Sequence, residues 1–203
     1  MLQIGINTMN KTFFRRNLPH LHFNEGVYFI TSRLYDPDLF HSTHSVNSVN
    51  KINNLLSEDF QSHFIKYDDL MHSAETDIHY LKKPSIANIL KDEFHRLDSV
   101  EYDLIAYTIL SNHFHLSFEL NKENSGISKI MKSIKGRSAL LINRHLNRRG
   151  KFWQDESYDR WVRDEVELYF VIKYILENPV KAGLVNYWHE WQFSFCKDAY
   201  LVL

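Results

Sequence analysis

The sequence is poor in cysteine, glycine and proline, with one cysteine, six glycines and four prolines among 203 residues. A single cysteine, Cys196, excludes an intramolecular disulfide and the thiolate-rich zinc sites, and it fits a cytoplasmic location. No apolar run approaches the roughly 20 residues that span a bilayer, and the N-terminus lacks the pattern of a secretory signal, so we expect no membrane partner. No Gly-x-x-x-x-Gly-Lys motif is present, so we expect no nucleotide cofactor.

The hydrophobic content of 44% and the aromatic content of 14% predict a packed globular interior, and the length fits one domain. The formal net charge is only −1, yet basic residues cluster between residues 122 and 163. Such a cluster is typical either of a solvated helix face or of a surface that contacts nucleic acid. The composition alone leaves both interpretations open.

Hydrophobic patterns predict alternating strands and helices after residue 26. Residues 27–34, VYFITSRL, are rich in β-branched and aromatic residues, which indicates a strand. Apolar residues recur at helical spacing after Pro84. Residues 102–110 and 113–120 are predicted strands with only two residues between them, which favours an antiparallel hairpin.

The second half of the chain predicts two helices and one more strand. An amphipathic helix begins near Ile127, with its basic residues on the polar face and Gly150 beyond its end. The segment 151–162, KFWQDESYDRWV, is a predicted strand. Asp164 followed by Glu167 indicates the start of a last helix. We expect this helix to end at Asn178-Pro179, because proline disfavours helical dihedrals in the preceding residue.

The order strand, helix, strand, strand, helix, strand predicts an α+β fold, a ferredoxin-like split βαβ sandwich. Its antiparallel sheet would carry the His-x-His strand described next, with helices packed on it. We expect a single domain over residues 1–203. Within it, residues 1–25 would form an N-terminal arm, residues 36–82 a helical insertion and residues 184–203 a C-terminal tail.

His113 and His115 lie two residues apart in the second strand of the predicted hairpin. Strand alternation puts both side chains on one face, roughly 6.6 Å apart at ~3.3 Å per residue. Two imidazoles in this arrangement are suited to share a metal ion. The alternative is that they are two ordinary histidines in a chain that has 12.

Tyr174 and Asn178 are four residues apart near the end of the last predicted helix, so they share a helical face. A phenol and an amide oxygen on that face could sit over a metal held by the histidine strand. The alternative is that Tyr174 is a core residue and Asn178 only a helix terminator before Pro179. Pro179 also disfavours helical dihedrals at Asn178, which could displace its side-chain carbonyl from the ideal i, i+4 position.

The motif SNHFHLSFE, followed about sixty residues later by YILENPVKAGLV, resembles the HUH superfamily of single-strand endonucleases. More narrowly, it resembles the single-tyrosine transposases of the insertion-sequence 200-like group, and within them the REP-associated tyrosine transposases. The segments RRNLPHLHFNEGVYFITSRL, LKKPSIANILKDEF and IMKSIKGRSALLINRHLNRRGKFWQDESYDRWVRD also match the family pattern, as does the closing WHEWQFS segment.

The resemblance implies that His113 and His115 bind Mg²⁺ or Mn²⁺, with Asn178 as the third ligand, and that Tyr174 is the nucleophile. Other tyrosines are near in sequence, but only Tyr174 keeps the spacing to Asn-Pro. The resemblance also implies cleavage and rejoining of hairpin-containing single-stranded DNA through a covalent 5′-phosphotyrosine. Glu177 departs from the family pattern and makes the third ligand less secure than the two histidines.

The implied partner is single-stranded or hairpin DNA, bound by a monomer rather than a dimer and at the nucleoid. Basic side chains would follow the DNA backbone, and an exposed tryptophan would stack on unpaired bases, with core packing as the alternative for the aromatic residues. Arginines before the first strand would reach a groove of a folded hairpin. The predicted DNA contacts are Arg15, Arg16, Lys132, Lys135, Arg137, Arg144, Arg148, Lys151, Trp153, Arg160 and Arg163.

The sequence leaves two further functional hypotheses open. One is a protein that still binds DNA but no longer cleaves it. The other is a metal-dependent hydrolase that uses water as nucleophile, with a purely structural Tyr174.

Overall fold

A computed structural model describes residues 11–15, 19–37 and 78–201 of the chain. Strands occupy Lys11–Arg15 (β1), Pro19–Phe23 (β2), Val27–Arg33 (β3), Tyr102–Ile109 (β4), His113–Leu120 (β5), Tyr158–Trp161 (β6) and Ser194–Cys196 (β7). Helices occupy Pro84–Leu97 (α1), Ile127–His145 (α2) and Glu165–Lys181 (α3). Short 3₁₀ turns lie at Tyr80–Lys82, Trp188–Glu190 and Asp198–Tyr200.

The central sheet is antiparallel, with the strand order β6-β3-β5-β4-β7. Its first four strands, with α1 after β3 and α2 after β5, have the order of the split βαβ arrangement. The predicted α+β, ferredoxin-like fold is therefore confirmed, and β7 extends the sheet beyond β4. Strands β1 and β2 form a separate hairpin within the predicted N-terminal arm. Of the predicted insertion over 36–82, residues 38–77 lie outside the described residues.

The sheet separates two hydrophobic clusters because strand residues alternate between its faces. Helices α1 and α2 pack against one face, which presents Tyr28, Ile30, Phe114, Leu116 and Phe118. Helix α3 packs against the other face, where its buried residues meet Phe29 and Ile105. The basic residues of α2 and the tyrosine of α3 therefore lie on opposite sides of the sheet.

A β-bulge decides which side chains of β4 face α3. Ile105 is an extra residue at the point where the pairing between β4 and β5 shifts. Beyond it, Thr108 lies opposite His115, and Tyr107 is buried in the cluster of α1 and α2. If β4 paired regularly with β5, with Ile105 opposite Ser117, Tyr107 would lie opposite His115.

The helix α3 begins as predicted and ends later than predicted. The side chain of Asp164 caps it by accepting a hydrogen bond from the backbone N–H of Glu167, at 2.8 Å. The expectation that it ends at Asn178-Pro179 was wrong, because the helix continues through Pro179. The turn closes after the proline with hydrogen bonds from the N–H of Ala182 to the carbonyl of Asn178 at 2.9 Å and from Leu184 to Pro179 at 3.0 Å.

The predicted strand over 151–162 is also shorter in the structure. Only Tyr158–Trp161 forms strand β6, and Trp153 makes one isolated bridge to Leu34. The ammonium of Lys135 on α2 holds the intervening segment by donating to the carbonyls of Gln154 at 2.6 Å and Asp155 at 3.0 Å. Among the helices in the described ranges, none is long and apolar enough to cross a membrane.

Candidate metal and nucleophile site

A row of polar side chains crosses the sheet on the face that α3 covers. Backbone pairing aligns Tyr158, Thr31, His115, Thr108 and Ser194, one from each strand. Residues paired in this way lie side by side on the same face of a sheet. The row brings His115 to the middle of the sheet, between two threonines.

Each histidine of the pair is oriented by a neighbour through its Nδ1 atom. His115 Nδ1 is 2.8 Å from Thr31 Oγ1, and its ring stacks on Phe29 with centroids 5.7 Å apart. His113 Nδ1 donates to Asn112 Oδ1 at 2.6 Å. The two imidazole centroids are 5.0 Å apart, and the residues are only 3% and 1% exposed. Through strand alternation both histidines thus share one face, as predicted, and a metal ion would be bound through Nε2 of each ring.

Tyr174 lies directly against His115. Its ring meets His115 edge to face, with centroids 5.1 Å apart at 78°, and it meets Phe29 at 6.2 Å. Tyr174 is 8% exposed. The Nζ atom of Lys181, two helical turns further on, lies 5.3 Å from the centroid of the Tyr174 ring. The predicted nucleophile is therefore in ring contact with one of the predicted metal ligands, His115.

Asn178 follows Tyr174 by one helical turn and is fully buried. Its Nδ2 donates to the carbonyl of Tyr174 at 3.0 Å, whereas its Oδ1 has no hydrogen-bond partner in the described part of the chain. A buried amide oxygen without a partner is costly unless a ligand satisfies it. The chemistry of the donor set, two imidazoles and one amide oxygen, therefore fits a divalent metal.

Glu177 is not part of this donor set. Its carboxylate is 42% exposed and pairs with Lys181 at 3.3 Å and with Lys173 at 3.8 Å. Within residues 11–15, 19–37 and 78–201, no three His, Cys, Asp or Glu side chains are grouped so as to hold a metal. Among the described residues, Asn178 is accordingly the best candidate for the third ligand.

The tyrosines of the same sequence region are placed differently from Tyr174. Tyr169 and Tyr187 are 39% and 64% exposed. Tyr158 stands in the polar row of the sheet, with its ring centroid 6.2 Å from that of Phe29, and burial raises its pKa. Of these side chains, Tyr174 is the one in ring contact with His115.

Lys132 and Arg144, two of the predicted DNA-contacting cations, are exposed on α2. Arg163 before α3 is also exposed, and its Nε atom lies 3.5 Å from the carboxylate of Glu167. Lys132 lies on the wall of a groove of about 590 Å³ between α2 and the segment 150–157. Arg15 ends strand β1, and Arg16 lies outside the described residues.

Five more of the predicted cations have partners within the protein. Arg137 pairs with the buried Glu93 at 2.7 Å, and Arg160 pairs with Glu167. Lys151 pairs with Asp155 at 2.6 Å, and Arg148 donates to the carbonyl of Lys151 at 3.0 Å. Burial lowers the pKa of Lys135 to about 8, although three oxygen acceptors surround its ammonium. Each of these side chains would have to exchange or share a partner in order to bind a phosphate.

Trp153 corrects a sequence prediction. It is 4% exposed, packs edge to face on Phe114 with centroids 5.3 Å apart, and donates from Nε1 to Ser138 Oγ at 2.9 Å. An indole in this position has no free face for a DNA base. The core alternative therefore holds for Trp153, and the stacking prediction was wrong.

A ferredoxin-like sheet with a His-x-His strand beneath a helical tyrosine is the arrangement that the sequence motifs predicted. The family model of IS200-like transposases matches residues 70–178, which is more than half of the chain and includes both histidines, Tyr174 and Asn178. The chain therefore belongs to the IS200-like transposase family.

Two of the proteins that this chain resembles are REP-associated tyrosine transposases. A Haemophilus influenzae protein described as a REP-associated tyrosine transposase is 26% identical over 102 residues, covering 46% of this chain and 58% of that protein. The aligned part thus spans less than two thirds of the relative. A solved structure of a REP-associated tyrosine transposase bound to a REP hairpin is 16% identical, with a TM-score of 0.57, and covers 89% of this chain and 80% of that chain. This likeness concerns the fold.

Several residues of the site were missed in the sequence. Thr31 and Asn112 orient the two histidines, and Lys181 covers the ring of Tyr174. Asn112 precedes His113 directly and could have been found from the motif. Thr31 lies 84 residues before His115, so its role depends on strand pairing that no local pattern contains.

Proposed function

We propose that this chain cuts and rejoins hairpin-containing single-stranded DNA through a covalent 5′-phosphotyrosine on Tyr174. It would do so as a monomer at the nucleoid, with Mg²⁺ or Mn²⁺ bound by His113, His115 and Asn178. The observation that carries the proposal is the contact between the ring of Tyr174 and His115, 5.1 Å between centroids, beside the second histidine. Hairpin DNA is proposed because a structural relative is bound to a REP hairpin.

Two neighbours of the histidines give each ring its role. Asn112 Oδ1 accepts a hydrogen bond from Nδ1 of His113, which fixes the tautomer whose Nε2 carries the lone pair. Thr31 has the same effect on His115 when its hydroxyl accepts from Nδ1. A divalent ion bound there would neutralise charge on the scissile phosphate. The chain's own contribution is to hold the ligands rigidly in a buried setting.

Tyr174 would supply the attacking oxygen. Its Oη forms a bond to phosphorus while the bond from phosphorus to O3′ breaks, which leaves the downstream 5′-phosphate on the protein. The phenol proton passes to water, and the leaving O3′ takes a proton from water. Since the phosphodiester is conserved as a phosphotyrosine, another 3′-hydroxyl can reverse the step and rejoin DNA.

The DNA path would have to join two sides of the molecule. The exposed cations of α2 lie on the face of the sheet opposite to α3. The edge strand β6 leads from the α2 side to Arg163 and the start of α3. A single strand that contacts both α2 and Tyr174 would therefore pass around the β6 edge, with electrostatic contacts that weaken as salt increases.

The experiment uses single-stranded oligonucleotides that carry a hairpin and are labelled at the 3′ end, incubated with Mn²⁺ or with chelator. A 5′-phosphotyrosine keeps the label on the protein in a denaturing gel. We expect an adduct for the wild type that chelator and Tyr174→Phe both abolish. Tyr169→Phe, an exposed tyrosine of the same helix, is the matched control and should react normally. Cleavage that survives Tyr174→Phe would refute the assignment of the nucleophile, and binding without cleavage would indicate a protein that only binds DNA.

A further inference from the structure

Lys181 is the last residue of α3 and lies on the same helical face as Tyr174, seven residues earlier. Its Nζ atom is 5.3 Å from the centroid of the Tyr174 ring. Its side chain is 56% exposed, whereas Tyr174 is 8% exposed. The ammonium therefore lies between the buried nucleophile and the solvent from which DNA would approach.

The present partner of Lys181 is exchangeable. Glu177 lies 3.3 Å from Lys181 and 3.8 Å from Lys173, so one carboxylate serves two ammonium groups. All three side chains are more than two fifths exposed, and exposed ion pairs contribute little to stability. Release of Lys181 would leave Glu177 paired with Lys173, which makes the exchange inexpensive.

We propose that Lys181 is a catalytic residue of this site, and that its ammonium leaves Glu177 to bind a non-bridging oxygen of the phosphate that Tyr174 attacks. This inference rests on the proposed function. During the attack the Oη–P bond forms and the P–O3′ bond breaks, and negative charge develops on the phosphate oxygens and the leaving oxygen. A cation placed beside the attacking ring stabilises that charge where it develops, which is the form of stabilisation that raises a rate.

Lys173 provides a matched control. It lies on the same helix, pairs with the same carboxylate and has a similar exposure of 51%, against 56% for Lys181. Of the two lysines, Lys181 is the one whose Nζ atom lies over the Tyr174 ring. A general contribution of positive charge to DNA binding would affect both lysines alike, whereas a role at the scissile phosphate would affect Lys181 alone.

The test measures the single-turnover rate of adduct formation with 3′-labelled hairpin oligonucleotide and Mn²⁺, at saturating DNA, and DNA affinity separately. We expect Lys181→Gln to slow the adduct step about 100-fold, the scale of losing one group that stabilises developing charge. Lys173→Gln should leave this rate within about twofold, and Lys181→Arg should restore most of it because the charge is kept.

The outcomes separate the two proposals. A wild type that forms no adduct overturns the proposed function and this inference with it. A wild type that reacts while Lys181→Gln reacts equally fast overturns only the role of Lys181. The inference is also overturned if Lys181→Gln and Lys173→Gln weaken DNA binding equally and leave the rate unchanged, or if a folded Lys181→Arg is as slow as Lys181→Gln.

Discussion

Replacing Thr31 by valine tests the orientation of His115 most directly. The substitution keeps the side-chain shape and removes only the hydroxyl, which is 2.8 Å from Nδ1 of His115. Both residues are buried, with exposures of 2% and 1%. No water can replace the lost acceptor without a change in packing, so the nitrogen would be left without this hydrogen bond.

The size of the effect follows from which tautomer the metal requires. A metal bound through Nε2 keeps the proton on Nδ1, and a buried N–H without its acceptor costs roughly 1–3 kcal/mol. The metal-free protein escapes part of this cost because its proton can move to Nε2. The cost therefore falls on the metal-bound state, and each 1.4 kcal/mol is about tenfold in affinity. We expect Mn²⁺ affinity to fall about 10- to 100-fold, the range found for partners of metal-binding histidines.

Thr108 is the control that the fold itself offers. It stands on the other side of His115 in the same row, is fully buried, and its hydroxyl bonds Ser194 Oγ at 2.9 Å rather than the imidazole. Titration calorimetry with Mn²⁺ on Thr31→Val and Thr108→Val should show weakened binding only in the first. Equal affinities for Thr31→Val and the wild type would refute the reasoning, provided that both unfold at similar urea concentrations.

Two further predictions concern stability. Burial raises the pKa of Tyr28 to about 12 and raises the pKa values of Tyr102 and Tyr107 as well. Above pH 10 the folded state keeps phenol protons that the unfolded state loses, so the free energy of unfolding should fall by ~1.4 kcal/mol per pH unit for each tyrosine. In urea titrations at a series of pH values, Tyr102→Phe should reduce this slope by ~1.4 kcal/mol per pH unit. An unchanged slope would contradict the burial argument. Trp153→Ala should cost about 3–5 kcal/mol in urea unfolding, as expected for a buried tryptophan. If Trp153→Phe instead weakened binding of hairpin DNA at unchanged stability, Trp153 would belong to the DNA surface after all.

Much of the fold was predictable because its signals are local. Two strand patterns with a short junction between them were enough to predict the hairpin of β4 and β5. Helical periodicity was enough to predict α1 and α2. The shared face of His113 and His115 follows from alternation within a single strand. Tyr174 and Asn178 keep the four-residue spacing of one helical turn, and the family motifs added their assignment to one site.

The errors arose where tertiary packing overrides local preference. Pro179 stays within α3 because the turn after it is closed by the N–H groups of Ala182 and Leu184. Trp153 is in the core because Ser138 offers an acceptor to its indole N–H inside the protein. The sequence pattern presents the basic segment as one surface, whereas in the structure Arg137 binds the carboxylate of Glu93 on α1. Charge patterns in sequence do not reveal such pairings between distant elements.

The bulge at Ile105 has a consequence for how the chain tolerates changes in length. The two halves of strand β4 are offset by one residue in their pairing. The first half pairs regularly with β5 up to Leu104, and the second half must bring Thr108 beside His115. A shift of the pairing by one residue moves every later side chain of the strand to the opposite face of the sheet. If the same residues paired without the bulge, Ile105 would lie opposite Ser117, the Tyr107 ring would turn toward the histidines and Thr108 would turn into the opposite core. A deletion of Ile105, by contrast, would remove the bulge and leave Thr108 opposite His115. The bulge is therefore as much a part of the site as the side chains that line it.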